Sequence, residues 1–110
     1  MIQDRIEKIE ATLQAASNLP PATRDELLRL LAELKAEVHP LTGTHPEDAD
    51  SIARFADASF HEATRSSRKP DQTEAALKGL TSSVADFQMS HPRLVETVDR
   101  VATALSNMGI

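Results

Sequence analysis

Apolar residues recur at steps of three and four positions along most of the chain, and this period strongly constrains its fold. Such spacing places side chains on one face of an α-helix, whereas a half-buried β-strand would need strict alternation. Five segments show the period, and stretches with proline or other turn-forming residues separate them. The sequence therefore predicts an all-α fold, a helical bundle of about five helices, in a single helical domain over residues 1–110.

The first two segments predict an antiparallel helical hairpin over residues 1–38. Both carry a seam with the heptad spacing of helices that pair along their length, and the short connection favours antiparallel pairing. We expect the second helix from about Pro21 to Val38, with Thr23 and Glu26 as a capping box. The seam residues, taken as candidate interaction residues, are Ile2, Ile6, Ile9, Leu13, Leu27, Leu31, Leu34 and Val38.

Residues 39–46, "HPLTGTHP", predict a linker because they combine two prolines with a glycine. Three helices are expected after it, over residues 47–110. Thr44 is expected to cap the first of them, which ends near Arg65, while Asp71 and Ser90 mark the starts of the other two. Their apolar stripes are Ala49, Ile52, Phe55, Ala56, Phe60 and Ala63, then Leu77, Leu80, Val84 and Phe87, and finally Leu94, Val98, Val101 and Leu105.

Two glycines carry structural information. Gly79 lies within a predicted helix, where it either weakens that helix by ~1 kcal/mol relative to Ala or permits a close contact between helices. Gly109 suits the left-handed position just beyond the last helix, with Ile110 contacting Leu105 in a Schellman cap.

Composition and charge argue against several classes of function. The chain has no Cys, so it has neither disulfides nor thiolate ligands or nucleophiles. Its net charge is −5, with three Phe and neither Tyr nor Trp to stack on bases, and we expect no nucleic-acid partner. No Gly-rich phosphate loop or nucleophile elbow is present, which predicts no enzymatic activity and no cofactor.

The pattern of hydrophobicity also bears on location. The N-terminal stretch is charged throughout and lacks the apolar run of a signal peptide. No stretch approaches the ~18 apolar residues of a membrane-spanning helix. We therefore expect a cytoplasmic protein with no membrane partner.

Three of the four histidines, His39, His45 and His91, directly precede a proline. His39 is explained by a place in the last turn of a helix, where positive charge is favoured, and His45 and His91 by an extended backbone before a proline at helix starts. A metal site formed by the three imidazoles and nearby carboxylates is the alternative, although their spacing matches no known ligand pattern. The fourth, His61, is expected to face solvent.

The basic stretch "RSSRK", Arg65 to Lys69, has two interpretations. It could be a phosphorylation or anion-binding site. The favoured interpretation is a group of cations at a helix C-terminus, where the helix dipole favours positive charge.

The C-terminal stretch "SHPRLVETVDRVATALSNMGI" resembles that of a family of small, mostly bacterial proteins catalogued as domain of unknown function 4404. "FHEATR" and "LKGLTSSVADF" resemble the longer version of that family. The resemblance implies a leucine-rich N-terminal helical hairpin and a C-terminal helix that opens on Ser90-His91-Pro92 and closes on 107–110. It implies no activity, cofactor or catalytic residue.

These observations lead to three hypotheses of function. The first is a non-enzymatic helical module for protein interaction that forms a homodimer, because two heptad seams occur in a chain with a thin, aliphatic core. Binding to an unknown protein partner is kept as an alternative to the homodimer. The second is a metal-binding protein that uses His39, His45 and His91 with nearby carboxylates. The third is a regulatory module whose amphipathic first helix docks on a membrane or a larger enzyme.

Overall fold

Five long helices and two single helical turns make up residues 2–108. The computed structural model describes residues 2–108, with side chains described from Asp4 onward. The elements are α1 (Ile2–Ala15), α2 (Pro21–Val38), α3 (Leu41–Thr44), α4 (Pro46–Thr64), α5 (Pro70–Ser83), a 3₁₀ turn (Ala85–Phe87) and α6 (Pro92–Met108). Residues 2–108 contain no strand, and the predicted all-α bundle is confirmed.

Four of the long helices begin on a proline. Proline fits the first helical position because its ring fixes a helical φ and its missing N–H would have no partner there. The proline-containing breaks in the sequence therefore mark where helices start.

The two predicted side-chain caps, at Thr23 and Thr44, are wrong. Because α2 begins at Pro21, Thr23 lies inside the first turn, and no side chain caps this helix. Because α4 begins at Pro46, its N-cap residue is His45, again without a side-chain cap. Helices that start on proline have fewer free N–H groups in the first turn, which weakens the case for a capping side chain.

The five long helices form a closed ring in the order α1, α2, α6, α5, α4. Each helix packs against its two neighbours, and α4 also reaches α6 across the ring. The antiparallel pairing of α1 with α2 is confirmed by Lys35, near the end of α2, whose Nζ lies 3.6 Å from Glu7 in the first half of α1.

Most of the predicted apolar stripes point into the ring. The buried residues at those positions are Ile6, Ile9, Leu13, Leu27, Leu31, Leu34, Val38, Ala49, Ile52, Ala56, Phe60, Ala63, Leu80, Val84, Phe87, Leu94, Val98, Val101 and Leu105. Phe55 differs, because its side chain is 40% exposed. Leu77 is half-buried against the core.

Two segments differ in detail from the predicted elements. The stretch predicted as a linker contains α3, whose Leu41 is fully buried and adds to the core. The stripe predicted to run through Val84 and Phe87 is interrupted, because α5 ends at Ser83 and Phe87 lies in the following 3₁₀ turn. The predicted cap at Gly109 and Ile110 lies outside the described residues.

Candidate functional site

Helix α1 occupies a groove between α2 and α4, and we call this surface the α1 groove. Ile6, Ile9 and Leu13 are buried in it, at 1%, 3% and 1% exposure. Their spacing of three and four positions puts all three on one face of α1. The opposite face carries exposed residues such as Lys8 and Gln14, so α1 is an amphipathic helix on the surface of the bundle.

Ion pairs flank the buried face of α1 on both sides. On the α4 side, Nη1 of Arg5 lies 3.1 Å from Oδ2 of Asp57. On the α2 side, Nζ of Lys35 lies 3.6 Å from Glu7 and 3.8 Å from Glu10. These groups are partly exposed, so each pair contributes little to stability, about 0–1 kcal/mol. Their opposite signs on the two helices nevertheless favour one register for α1 in its groove.

The contact of α1 with α4 is incomplete. A cleft of about 500 Å³ lies between the two helices, and Thr12, Ala58 and His61 are among its lining residues. His61 is exposed as expected. Because the cleft is open to solvent, α1 is attached to α4 mainly through its three buried side chains and the Arg5–Asp57 pair.

The connection from α1 to α2 reverses the chain within residues 16–20. Pro20 has φ −59° and ψ 143°, the extended polyproline conformation, and Pro21 opens α2. The side-chain amide of Asn18 donates to the carbonyl of Thr64 at 3.1 Å and ties the connection to the end of α4. We call residues 16–20 the hinge.

The candidate interaction residues therefore lie inside the molecule wherever their side chains are described. Ile6, Ile9 and Leu13 face α2 and α4, and the seam residues of α2 are buried as well. The side chain of Ile2 lies outside the described part. Among the described side chains, the two heptad seams thus pair with each other within one chain, and these side chains leave no apolar face in solvent.

The second candidate feature is a pair of histidines whose side chains lie close together. His45 at the start of α4 and His91 at the start of α6 have ring centroids 6.2 Å apart. The ring of Phe87 lies 5.3 Å from each of them in an edge-on arrangement. The three rings form a cluster, which we call the His45–Phe87–His91 cluster.

Both histidines have the same local surroundings. In each case the preceding hydroxyl residue lies beside Nδ1, Thr44 at 2.9 Å from His45 and Ser90 at 2.9 Å from His91. The sequence thus repeats a hydroxyl–His–Pro tripeptide at two helix starts. A hydrogen bond at Nδ1 fixes the orientation of an imidazole and leaves Nε2 as the second reactive nitrogen.

The predicted trio of metal ligands is only partly brought together. His45 and His91 are adjacent, whereas His39 lies at the end of α2. Within residues 4–108, no group of three or more His, Cys, Asp or Glu side chains could hold a metal ion. The interpretation of the His-Pro pairs as helix boundaries fits the positions, since His39 follows the last residue of α2 and Pro46 and Pro92 open α4 and α6. His39 itself keeps a helical backbone, with φ −50° and ψ −47°, although it precedes a proline.

The basic stretch after α4 interacts with helix ends. Nη1 of Arg68 donates to the carbonyl of Met108, in the last turn of α6. Nη1 of Arg65 donates to Glu62 at 3.0 Å and to Gln72 at 3.2 Å. These contacts agree with the interpretation of the stretch as cations at helix C-termini, although Arg68 serves a neighbouring helix rather than its own.

A comparison with protein-family models matches residues 27–110 to a family described as a domain of unknown function, DUF4404. The chain belongs to the DUF4404 family. The resemblance seen in the C-terminal sequence is thereby confirmed. The DUF4404 match starts at Leu27, so it includes most of α2 and all of α3 to α6, and α1 lies outside it.

The other comparisons add no relative. No curated protein and no solved structure matches the chain. Among the described residues of this DUF4404 member, no helix is long and apolar enough to cross a membrane.

The sequence did not indicate that the ring of Phe87 lies against both His45 and His91. It also missed the ion pairs that flank α1, because they join residues far apart in the chain. One signal was available for the cluster, since the hydroxyl–His–Pro tripeptide occurs twice and Phe87 lies four residues before His91. No comparable signal links Arg5 to Asp57.

Proposed function

We propose that this DUF4404 protein is a non-enzymatic helical module that binds other protein chains and forms a homodimer. The observation that supports the proposal is the docking of α1. The family region, residues 27–110, together with the start of α2 provides a groove for an amphipathic helix, lined with apolar contacts and bordered by charges of both signs. Helix-in-groove binding is a common mode of recognition between proteins.

The energetics of α1 suit a helix that both docks and releases. Burial of Ile6, Ile9 and Leu13 contributes roughly 2 kcal/mol for each side chain, or about 6 kcal/mol before the cost of ordering the helix. An isolated helix of 14 residues is marginal in water, so α1 depends on the groove for its stability. A helix whose docking free energy is only a few kcal/mol is stable when docked and can open at a modest free-energy cost.

The dimer proposal is tested by measuring the mass of the full-length protein in solution. Light scattering after size exclusion, at tens of micromolar, should give twice the chain mass of 12.0 kDa. A stable monomer at that concentration would contradict the homodimer. Binding to a different protein would then need its own demonstration, starting from competition for the α1 groove.

Metal binding is the second candidate function, and the His45–Phe87–His91 cluster is the observation that favours it. Two imidazoles 6.2 Å apart, each with a hydroxyl beside Nδ1, resemble half of a ligand set for zinc or a similar ion. Water or a group from another molecule would have to complete the coordination. His39 is the third histidine of this hypothesis, and its use would require a rearrangement of the end of α2.

The metal hypothesis is tested by thermal unfolding with and without zinc, manganese or iron. Binding to the folded state raises Tm, by an amount that grows with the logarithm of the ratio of metal concentration to Kd. The double variant His45→Asn/His91→Asn should abolish any such increase, while His61→Asn, at an exposed histidine on α4, is the matched control. No change in Tm for the unmodified protein would contradict metal binding.

A further inference from the structure

The placement of the heptad seams restricts how two copies of this chain can associate. The described seam residues of α1 and α2 are buried against each other and against α4, so they are not available to a second copy while α1 stays docked. A second copy could use these residues if α1 left its own groove. We infer that the homodimer forms by exchange of α1, with the α1 of each subunit docked in the α1 groove of the other.

This inference rests on the proposed homodimer and specifies its interface. The occupant of the groove is fixed by charge and shape, since α1 already presents the complementary groups. Arg5 faces Asp57 on α4, and Glu7 and Glu10 face Lys35 on α2. An α1 from a second copy offers the same side chains, and every contact of the closed monomer is re-formed in the exchanged dimer.

The difference between the two forms lies in the hinge. In the closed monomer, residues 16–20 must turn the chain back onto α2 within five residues. Pro20 is in the extended polyproline conformation and precedes a second proline, so the hinge has few ways to close. A short, stiff connection disfavours intramolecular docking relative to docking on a neighbour, which is the general condition for exchange of an element between subunits.

The limited attachment of α1 supports the same inference. Three described side chains of α1 are buried, compared with two in α5, five in α2 and seven in α4. The open cleft beside Thr12 further reduces the contact of α1 with α4. Release of α1 therefore leaves the packing among α2, α4, α5 and α6 in place.

Chemical cross-linking distinguishes exchange from closed docking. The natural chain has no Cys, so Arg5→Cys/Asp57→Cys introduces two thiols without background. These positions face each other across the α1 groove, and a short bismaleimide should link them. Exchange predicts covalent dimers on a denaturing gel, whereas closed docking predicts a link within one chain and a monomer band.

A matched control uses an ion pair that stays within one subunit in both arrangements. Arg100 on α6 lies 3.2 Å from Glu33 on α2, so Glu33→Cys/Arg100→Cys should give monomer bands in either case. If this control also gives covalent dimers, the dimer bands from the α1 pair come from random collision. That result would overturn exchange.

Charge reversal gives a second test that needs no cross-linker. Within one chain, Arg5→Asp makes two acidic side chains face each other across the α1 groove, and Asp57→Arg makes two basic side chains do so. In an exchanged heterodimer of these two variants, both grooves regain opposite charges. Native mass spectrometry of the mixture should show the heterodimer enriched about tenfold over the random ratio.

The outcomes separate the inference from the proposed function. A monomer in solution, for the unmodified protein, would overturn both the homodimer and the exchange. A dimer whose Arg5→Cys/Asp57→Cys form links only within one chain would overturn exchange and leave the homodimer. Covalent dimers from this pair, together with monomer bands from the control, support exchange.

Discussion

The ring of Phe55 on α4 lies against the backbone of Gly79 on α5. A Cβ atom placed at Gly79 would be 2.4 Å from Cε1 of that ring and 2.5 Å from Cδ1. Such distances are far inside van der Waals contact, so the close approach depends on glycine at this position. Of the two roles considered for Gly79 from the sequence, the close contact between helices is therefore confirmed.

The Phe55–Gly79 contact predicts that the effect of Gly79→Ala on the free energy of unfolding changes sign when Phe55 is replaced by Ala. Gly79→Ala should lower the free energy of unfolding by about 1 kcal/mol, because displacement of the ring costs more than the gain in helix propensity. In a Phe55→Ala background, Gly79→Ala should instead stabilise the protein by about 1 kcal/mol. Urea denaturation of the four proteins measures the coupling. Equal effects of Gly79→Ala in both backgrounds would show that the ring does not depend on glycine.

The contact between Arg68 and Met108 predicts a local effect at the end of α6. Arg68→Ala should destabilise the protein by about 1 kcal/mol or less, because the lost hydrogen bond is exposed to solvent. Hydrogen exchange in the last turn of α6 should become faster. Arg93→Ala, on the exposed face at the start of α6, is the control and should leave that turn unchanged.

Helix α1 should open before α4 and α6. Three described side chains of α1 are buried, and the helix contacts α2 and α4. The free energy of opening α1 should therefore lie below that of global unfolding. Hydrogen exchange measured by mass spectrometry should show the amides of α1 exchanging faster than those of α4 and α6. Leu13→Ala should widen this difference, with a loss of about 2–3 kcal/mol in α1 docking. Uniform protection of α1 and α6 would contradict this prediction.

The His45–Phe87–His91 cluster should contribute to the packing of α4 against α6. Phe87→Leu keeps an apolar side chain but removes both edge-on ring contacts, and should cost about 1 kcal/mol or somewhat more. In a His45→Asn/His91→Asn background, the same substitution should cost less, because no ring remains to interact with Phe87. Thermal unfolding of the four proteins measures the difference.

The fold follows from sequence where hydrophobic period and proline agree. Leu27, Leu31, Leu34 and Val38 have helical spacing, and Pro21 marks the start of their helix, so both the element and its buried face were predicted. The caps predicted at Thr23 and Thr44 are wrong, because a proline at the first helical position changes which N–H groups need a partner. The end of α5 before Val84 was also missed, since a 3₁₀ turn can continue an apolar stripe beyond the helix.

The candidate sites were less predictable than the fold. The seams indicated that α1 pairs with α2, but the sequence does not say which third helix completes the groove. The side chain of Asp57 meets Arg5 across 52 positions of sequence, a contact that only tertiary packing creates. In the same way, His45 and His91 are adjacent because α4 and α6 both begin beside Phe87.

The most direct test of the proposed function is native mass spectrometry of the full-length, unmodified protein at tens of micromolar. One spectrum reports the subunit count and any retained metal ion. We predict a dominant species at twice the chain mass of 12.0 kDa. A single species at 12.0 kDa, unchanged as the concentration rises, would contradict the central proposal that this helical module self-associates.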